Sequence, residues 1–405
     1  MKPLTGIRVV DMTKVVAGPL CTQYLGDMGA EIIKIEPPQG DDTRRWPPFH
    51  EDEGNGDRTG TVFLSMNRNK RSFAVDLKTA EGQSIVQQLI QSADVVVESY
   101  ATGVTERLGV DYETVRKVNP GLIYCSISGF GRNGPMKNAK GYDLILQAYS
   151  GIMAMTGVPG GPPIRTPLSP IDQATGLNAQ NGILAALFHR ERTGEGAYLE
   201  VSLFETALAL LAFNLQRSWR RGTPPEKSGT GHESLCPYEV FQASNGDVLI
   251  GIANDSLWQK YCEAVERPEL ASEARFLTNA DRVRNRKETN GLVREITRSR
   301  TIEEWVAALN AAGVPCVPVN TALDVLRSPQ TAALGMVINY DHPQFGELKA
   351  IANPVHFAGD DRGDVNPPPA LGQDTSAILR DLGRDQAEID RLIDTKVVST
   401  PDRRG

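Results

Sequence analysis

Residues 7–36, IRVVDMTKVVAGPLCTQYLGDMGAEIIKIE, decide the fold. IRVVDM (7–12) is a short β-branched run, GPLCTQYLGDMGA (18–30) carries helical spacing, and EIIKIE (31–36) is a second strand stopped by Pro37 and Pro38. The alternation continues with RSFAVDL (71–77), a helix beginning at Thr79, DVVVESY (94–100) and LIYCSISGF (122–130). Strands separated by helices predict a parallel, doubly wound sheet covered by helices. Its ligand is expected beyond the C-terminal strand ends. The turn after the first strand reads TKVVAGP, with neither a G-x-G-x-x-G nor a phosphate-loop pattern, which argues against an ordinary dinucleotide or ATP site.

Further along, NGILAALFHRERTGEG reads as a helix ending at Gly194, and AYLEVSLFETALALLAFNLQRSW as a strand passing into a helix. RRGTPPEKSGTGHES (220–234) is polar and reads as a linker. YEVFQASNGDVLIGIA is a hairpin around Ser244-Asn245-Gly246, and GVPCVPV (313–319) looks like one more strand. The expected organisation is a large Rossmann-like domain over 1–200 completed by 326–405, a linker and helix over 201–225, and a small α+β domain over 226–325.

The 405 residues are 40% apolar and 23% charged, the composition of a soluble globular protein. A net charge of -7 argues against nucleic acid or an anionic membrane as the main partner. Five scattered cysteines without a CxxC pair suggest reduced thiols and no zinc site. MKPLTGIRVVDM shows no signal-peptide pattern, and no apolar run approaches the roughly 20 residues that span a bilayer. The expected compartment is the cytoplasm, or the mitochondrial matrix for a chain whose targeting segment has been removed.

The stretch LSPIDQATG (168–176) sets a lone acid, Asp172, before a long helix expected to start at about Gln173. Local pattern reads Asp172 as an N-cap, accepting an amide hydrogen bond. A carboxylate at a helix N-terminus is also favoured as the anion and can attack an acyl group, so both readings stay open.

PLTGIRVVDMTKVVAGPLCTQYLGDMGAEIIKIEPP, MNRNKRSFAVDL, DVVVESY with GVTERLG, LIYCSISGFGRNGP, GYDLILQAYSG and SPIDQATG occur in one order along the chain. Together they resemble the family III CoA-transferases, the CaiB/BaiF group, which includes formyl-CoA transferase, carnitine CoA-transferase and α-methylacyl-CoA racemase. The resemblance runs from Lys2 to PPPALGQDT. Within the group, GTGHESLCPYEVF and that tail look most like succinyl-CoA:glutarate-type dicarboxylate enzymes.

The resemblance implies that Asp172 is a nucleophile. It would form a mixed anhydride with the donor acyl group and then an aspartyl-CoA thioester, which the acceptor acid reverses. No permanently bound cofactor or metal is implied; coenzyme A thioesters and a free carboxylic acid are the substrates. Gly229 and Gly231, in SGTG (228–231), match the family's mobile Gly-rich loop and are expected to supply amide donors; a plain linker is the ordinary alternative. The racemase branch carries His-Asp where this chain has Tyr142-Asp143. A base near neutral pKa suits proton exchange, and tyrosine sits near about 10, so transfer is favoured over racemisation. The ordinary alternative for Tyr142 is a buried aromatic.

For the CoA moiety the resemblance points to Val15, Val16, Val75, Ser99, Tyr100, Arg107 and Lys140. Pro37 stands where formyl-CoA transferase has an arginine, so Arg44 or Arg45 is the expected replacement cation. Asn67–Arg71 (NRNKR) is a second basic cluster expected near the phosphates. Arg165 and His232 are the expected partners for the distal carboxylate of a dicarboxylic acceptor. The family also implies an interlocked homodimer, with the active site where a large domain meets a small one. The same-fold alternative is an acyl-CoA racemase, and the alternative from another class is a CoA-binding protein without transfer, in which Asp172 is only a cap.

Overall fold

The computed structural model describes residues 1–51, 58–359 and 362–401. Of the C-terminal segment assigned to the large domain, 360–361 and 402–405 therefore lie outside the described residues. The chain divides into two compact units. Unit 1 comprises Met1–Ser150, Thr166–Phe213 and Gln330–Gly405; unit 2 comprises Gly151–Arg165 and Asn214–Pro329. The division departs from the expected one in grouping 151–165 with the second unit.

Unit 1 is built on a seven-stranded sheet. Its strands are β1 (Arg8–Met12), β2 (Glu31–Glu36), β3 (Lys70–Val75), β4 (Val95–Glu98), β5 (Ile123–Ser128), β6 (Ala197–Ser202) and β7 (Val398–Ser399). Their spatial order is β7-β3-β2-β1-β4-β5-β6, parallel except for β7. The chain runs outward from β1 through β2 to β3, then returns to the other side of β1 and runs outward again. The order thus reverses between β1 and β4, which makes the space beyond Met12 and Glu98 the topological switch point.

The strands read as near-continuous apolar runs because both faces are covered. Val10, Ile33, Phe73 and Val96 are buried from water against helix α2 (Ala80–Gln91) and the C-terminal residues Ile378 and Leu392. Thr79 caps α2, its side chain accepting the Gly82 amide at 3.0 Å. On the other face, helix α1 (Ala17–Asp27) lies against the long helix α4 (Pro170–Thr193). Between them in sequence comes the short helix α3 (Asp143–Tyr149). Helix α5 (Leu203–Arg221) leaves unit 1 and is interrupted at Ala212 (φ 37°, ψ -116°), next to the boundary between the units.

Unit 2 holds an antiparallel sheet of Tyr238–Ala243, Gly246–Gly251 and Cys316–Pro318. The expected turn joins the first two, with Ala243 paired to Gly246. Phe241, Val248, Trp258, Tyr261, Trp305 and Leu309 form its core. All five cysteines are buried and unpaired with each other. No helix of the described residues is long and apolar enough to cross a membrane.

Candidate active site

At the switch point the residues after β1 and β4 are tied together: the Lys14 amide donates to Ser99 Oγ at 3.2 Å. Val15 has φ 73°, left-handed backbone for a β-branched side chain, and Val16 follows as the N-cap of α1. Such strain persists only where the surroundings over-determine it, and it gathers at functional sites. Val15, Val16, Ser99 and Tyr100 are thus brought to one place. The Tyr100 ring packs against the unit 1 core, and burial raises its hydroxyl to about 12.

Asp172 is delivered here by helix packing. Gly176, one turn further along α4, lies so close to α1 that a Cβ there would sit 2.5 Å from the Ala17 carbonyl oxygen. Any side chain would push the first turn of α4 away from the Thr13–Ala17 turn. The glycine therefore sets how near the first turn of α4 comes to the start of α1.

The N-cap reading of Asp172 is corrected. Helix α4 starts at Pro170, three residues earlier than expected, which places Asp172 inside the first turn; Ser169 is the N-cap, at φ 47°, with no side-chain bond. The capping acceptor comes from α3: Asp143 Oδ2 accepts the amides of Ile171 (2.8 Å) and Asp172 (3.1 Å). Gln147 steadies that carboxylate by donating to Asp143 Oδ1, and its Oε1 accepts the Thr166 amide at 2.9 Å. Among the described residues, the Asp172 carboxylate itself has no hydrogen-bond or ion-pair partner. Burial, then the Asp143 charge, push it up to about 7. The expectation that the helix end would hold it ionised is thus reversed, because Asp143 already occupies the first-turn amides that would have stabilised the anion. Asp143 carries no local signal for this role, since its contact spans 28 residues.

Tyr142 is the residue before α3, and it is 53% exposed, so the buried-aromatic alternative fails. Val75 is displaced from any ligand role through its side chain: it is 1% exposed in the core and its backbone pairs with Val398 of β7. No local pattern points to β7, a two-residue strand returning from near the end of the chain.

Arg44 is also spent. Its Nε and Nη2 pair with Glu36 at 2.8 Å, both Nη atoms donate to the Pro369 carbonyl at 3.1 Å, and it stacks over Phe63. Arg45 keeps 58% of its side chain exposed, with Asp42 3.3 Å away. The Asn67–Arg71 cluster is structural: Arg68 pairs with Asp27, Lys70 with Asp11, and Arg71 with Glu31 and Asp381. It also opens β3, at the strand end opposite the switch point. Arg107 and Lys140 are exposed, on the segments after β4 and β5, which are joined by Thr102 Oγ1 donating to the Lys137 carbonyl at 2.9 Å.

Gly229, Gly231, His232 and Arg165 all belong to unit 2. Gly229 has φ 63° and donates to the Gly157 carbonyl at 2.9 Å; the Gly231 amide donates to the Ser228 carbonyl at 3.0 Å. Both amides are therefore engaged, and the loop offers them as oxyanion donors only after these bonds open. The loop lines a cavity of about 770 Å³ within unit 2, bordered by six cationic and three carboxylate side chains besides His232. His232 Nδ1 accepts the Ser234 amide at 3.1 Å, and Arg165 is exposed. Among the described residues no group of three His, Cys, Asp or Glu side chains is placed to hold a metal ion.

A doubly wound sheet with a strained turn at its switch point has the layout of an α/β enzyme that takes its ligand beyond the strand ends. The chain matches the family model for CoA-transferase family III over residues 4–375, and it belongs to that family. It is 38% identical to the mouse succinyl-CoA:glutarate CoA-transferase over 402 residues, 98% of this chain and 91% of that protein. It is 37% identical to the acetyl-CoA:oxalate CoA-transferase of Acetobacter aceti, over 95% of this chain and 97% of that one. A crystal structure of a CAIB/BAIF family protein from Brucella suis superposes with a TM-score of 0.82 at 36% identity, covering 94% of this chain and 99% of that chain. The chain is a CoA-transferase.

Proposed function

We propose that the protein moves CoA from an acyl-CoA, with succinyl-CoA as first choice, to a dicarboxylic acid through Asp172. The observation that carries this reading is the division of labour at the start of α4: Asp143 caps the helix, so the Asp172 carboxylate is left for chemistry.

The ionised Asp172 oxygen attacks the donor thioester carbonyl, and the C–S bond breaks to give CoA thiolate and a mixed anhydride. The thiolate attacks the Asp172 carbonyl carbon, expelling the donor acid as its carboxylate and leaving an aspartyl-CoA thioester. The acceptor carboxylate attacks that thioester, thiolate leaves again, and a second anhydride forms. Attack of thiolate on the acceptor's acyl carbon releases Asp172 and the new acyl-CoA. One negative charge passes through every step, and one thioester replaces another, so no external energy source is needed. Tyr142, exposed beside Asp143, orients a reacting carboxylate and does not exchange α-protons.

Val15, Val16, Ser99 and Tyr100 receive the thioester arm, with Arg107, Lys140 and Arg45 as the cations for the phosphates. The dicarboxylate acceptor is supported by the relatives, whose named acceptors glutarate and oxalate are both dicarboxylic acids. Arg165 and His232 remain the proposed partners of the distal carboxylate.

A homodimer is proposed as well. Unit 1 leaves Tyr149, Leu168, Phe188 and Phe213 each more than half exposed, an amount of apolar surface that suits burial against a second copy.

The test is mass spectrometry of acyl-CoA products after mixing the protein with succinyl-CoA and glutarate, malate, itaconate, oxalate or carnitine. A new acyl-CoA with equimolar succinate is expected from a dicarboxylate. Product from carnitine alone would overturn the acceptor class, and none from any donor would overturn the transfer reading.

A further inference from the structure

Three buried ion pairs involve side chains of β1, of β2 and of the turn after β2, one of them reached by Lys70 from the start of β3. Lys70 Nζ is 3.1 Å from Asp11 Oδ2, Lys34 Nζ is 3.0 Å from Asp41 Oδ2, and Arg44 Nε is 2.8 Å from Glu36 Oε1. None of the six side chains is more than 9% exposed. Buried ion pairs seldom stabilise a fold relative to apolar side chains of the same size, so their concentration here calls for another cause.

The turn they hold supplies one. Lys34 Nζ donates to the Thr13 carbonyl at 2.9 Å as well as to Asp41. Asp41 Oδ2 accepts the Val15 amide at 3.4 Å, while its Oδ1 accepts the Thr43 amide and hydroxyl. Two residues before Thr13, on β1, Asp11 Oδ1 accepts both the amide (2.9 Å) and the hydroxyl (2.5 Å) of Thr13. Ser99 takes the amide between them. The Thr13 amide and carbonyl and the Val15 amide are held by the buried side chains Asp11, Lys34 and Asp41, and the Lys14 amide by the half-buried Ser99, around a residue whose φ of 73° a free chain would avoid.

We propose that Lys34 and Asp41 are a positioning pair: they hold the Thr13–Val16 turn in its strained, ligand-ready form and so set the affinity for the acyl-CoA thioester without touching it. Preorganising a binding segment removes the ordering cost that the ligand would otherwise meet. The inference rests on the switch point being the acyl-CoA site. Arg44, which the sequence suggested as a phosphate partner, belongs to the same frame: its partner Glu36 accepts the Asp41 amide at 3.1 Å.

The test uses the full-length enzyme. Lys34→Met alone strands a buried aspartate, so the variant to make is Lys34→Met with Asp41→Asn, which removes both charges and keeps an acceptor for Thr43. The expected result is a cooperative thermal transition within a few degrees of wild type, a KM for acyl-CoA raised about tenfold or more, and kcat changed less than about threefold. Val15→Gly, which relieves the strain and loosens the turn, should likewise raise KM without lowering Tm; it decides the matter if the double variant does not fold. Hydrogen exchange of residues 14–17 with and without CoA is measured in parallel on the wild type. Protection there with a wild-type KM in the folded variants overturns the positioning role and leaves the switch-point site standing. No protection on adding CoA overturns the switch-point reading and this proposal with it.

Discussion

The Asp143 carboxylate accepts the backbone amides of Ile171 and Asp172, at 2.8 and 3.1 Å, and its charge adds to burial in raising the Asp172 carboxyl. One side chain thus anchors the start of α4 and adds, after burial, to the upward shift of Asp172. It withdraws the two amides that would have favoured the anion and adds a like charge in their place.

The first prediction concerns Asp172→Asn. Transfer should fall by about 1000-fold or more, because the amide cannot form the anhydride. Stability should move the other way. A carboxyl whose folded pKa lies above its unfolded value stabilises the fold when protonated; that contribution is complete below about pH 4 and is lost as pH rises through about 7. Above pH 7 the half-buried charge is a cost that asparagine removes. A gain of about 1–2 kcal/mol at pH 8 is expected, the full shift being reduced by solvent screening. Calorimetry at pH 5 and pH 8 checks it; a destabilised variant at pH 8 would show that the Asp172 charge is held favourably.

Transfer should also depend on pH in a defined way. The value of kcat/KM for the donor acyl-CoA should rise about tenfold per pH unit below 7 and level off above it, as Asp172 ionises. Asp143→Asn keeps an oxygen for the two amides but loses the charge, so the midpoint should fall by about one unit. An unmoved midpoint would assign the shift to burial alone.

Gly176 makes a third, purely steric prediction. Alanine at this position would place its Cβ 2.5 Å from the Ala17 carbonyl oxygen, which requires α4 to move off α1. A loss of about 1–3 kcal/mol is expected, together with a fall in transfer larger than Asp172-remote variants of equal stability show. Equal activity at reduced stability would separate the α1–α4 distance from catalysis.

Tyr142 distinguishes transfer from racemisation. Wild-type protein in deuterated water should place no deuterium at the α-carbon of a 2-methylacyl-CoA, as read by mass spectrometry. Because its side chain is exposed, Tyr142→Phe should leave Tm within about 1 °C, an effect of under about 0.5 kcal/mol. It should lower transfer by roughly tenfold, through one lost hydrogen bond. Deuterium uptake by the wild type would move the enzyme to the racemase branch.

The oligomer is checked by sedimentation. A species of twice the 44.1 kDa chain mass is expected, and Phe188→Glu, on the apolar face that α4 exposes, should shift it toward the monomer.

The sequence by itself determined the sheet and its chemistry. β-Branched runs of fixed period, broken by glycines and prolines, specify parallel strands and crossover helices because burial on both faces admits little else. They place Val15, Val16, Ser99 and Tyr100 at strand ends for the same reason. Asp172 was legible only as an acid near a helix start, and its family resemblance supplied the rest.

What tertiary structure decided is which charges are free. Arg44 and Lys70 look like phosphate ligands in sequence, yet Glu36 at the end of β2 and Asp11 on β1 consume them. Val75 looks like a strand end open to ligand, yet a strand more than 300 residues away covers it. Asp172 looks like a cap, yet Asp143 does the capping. Local pattern records where a side chain starts along the chain. Its partner, and hence its charge and availability, depends on contacts between residues far apart in sequence, which only the packed fold brings together.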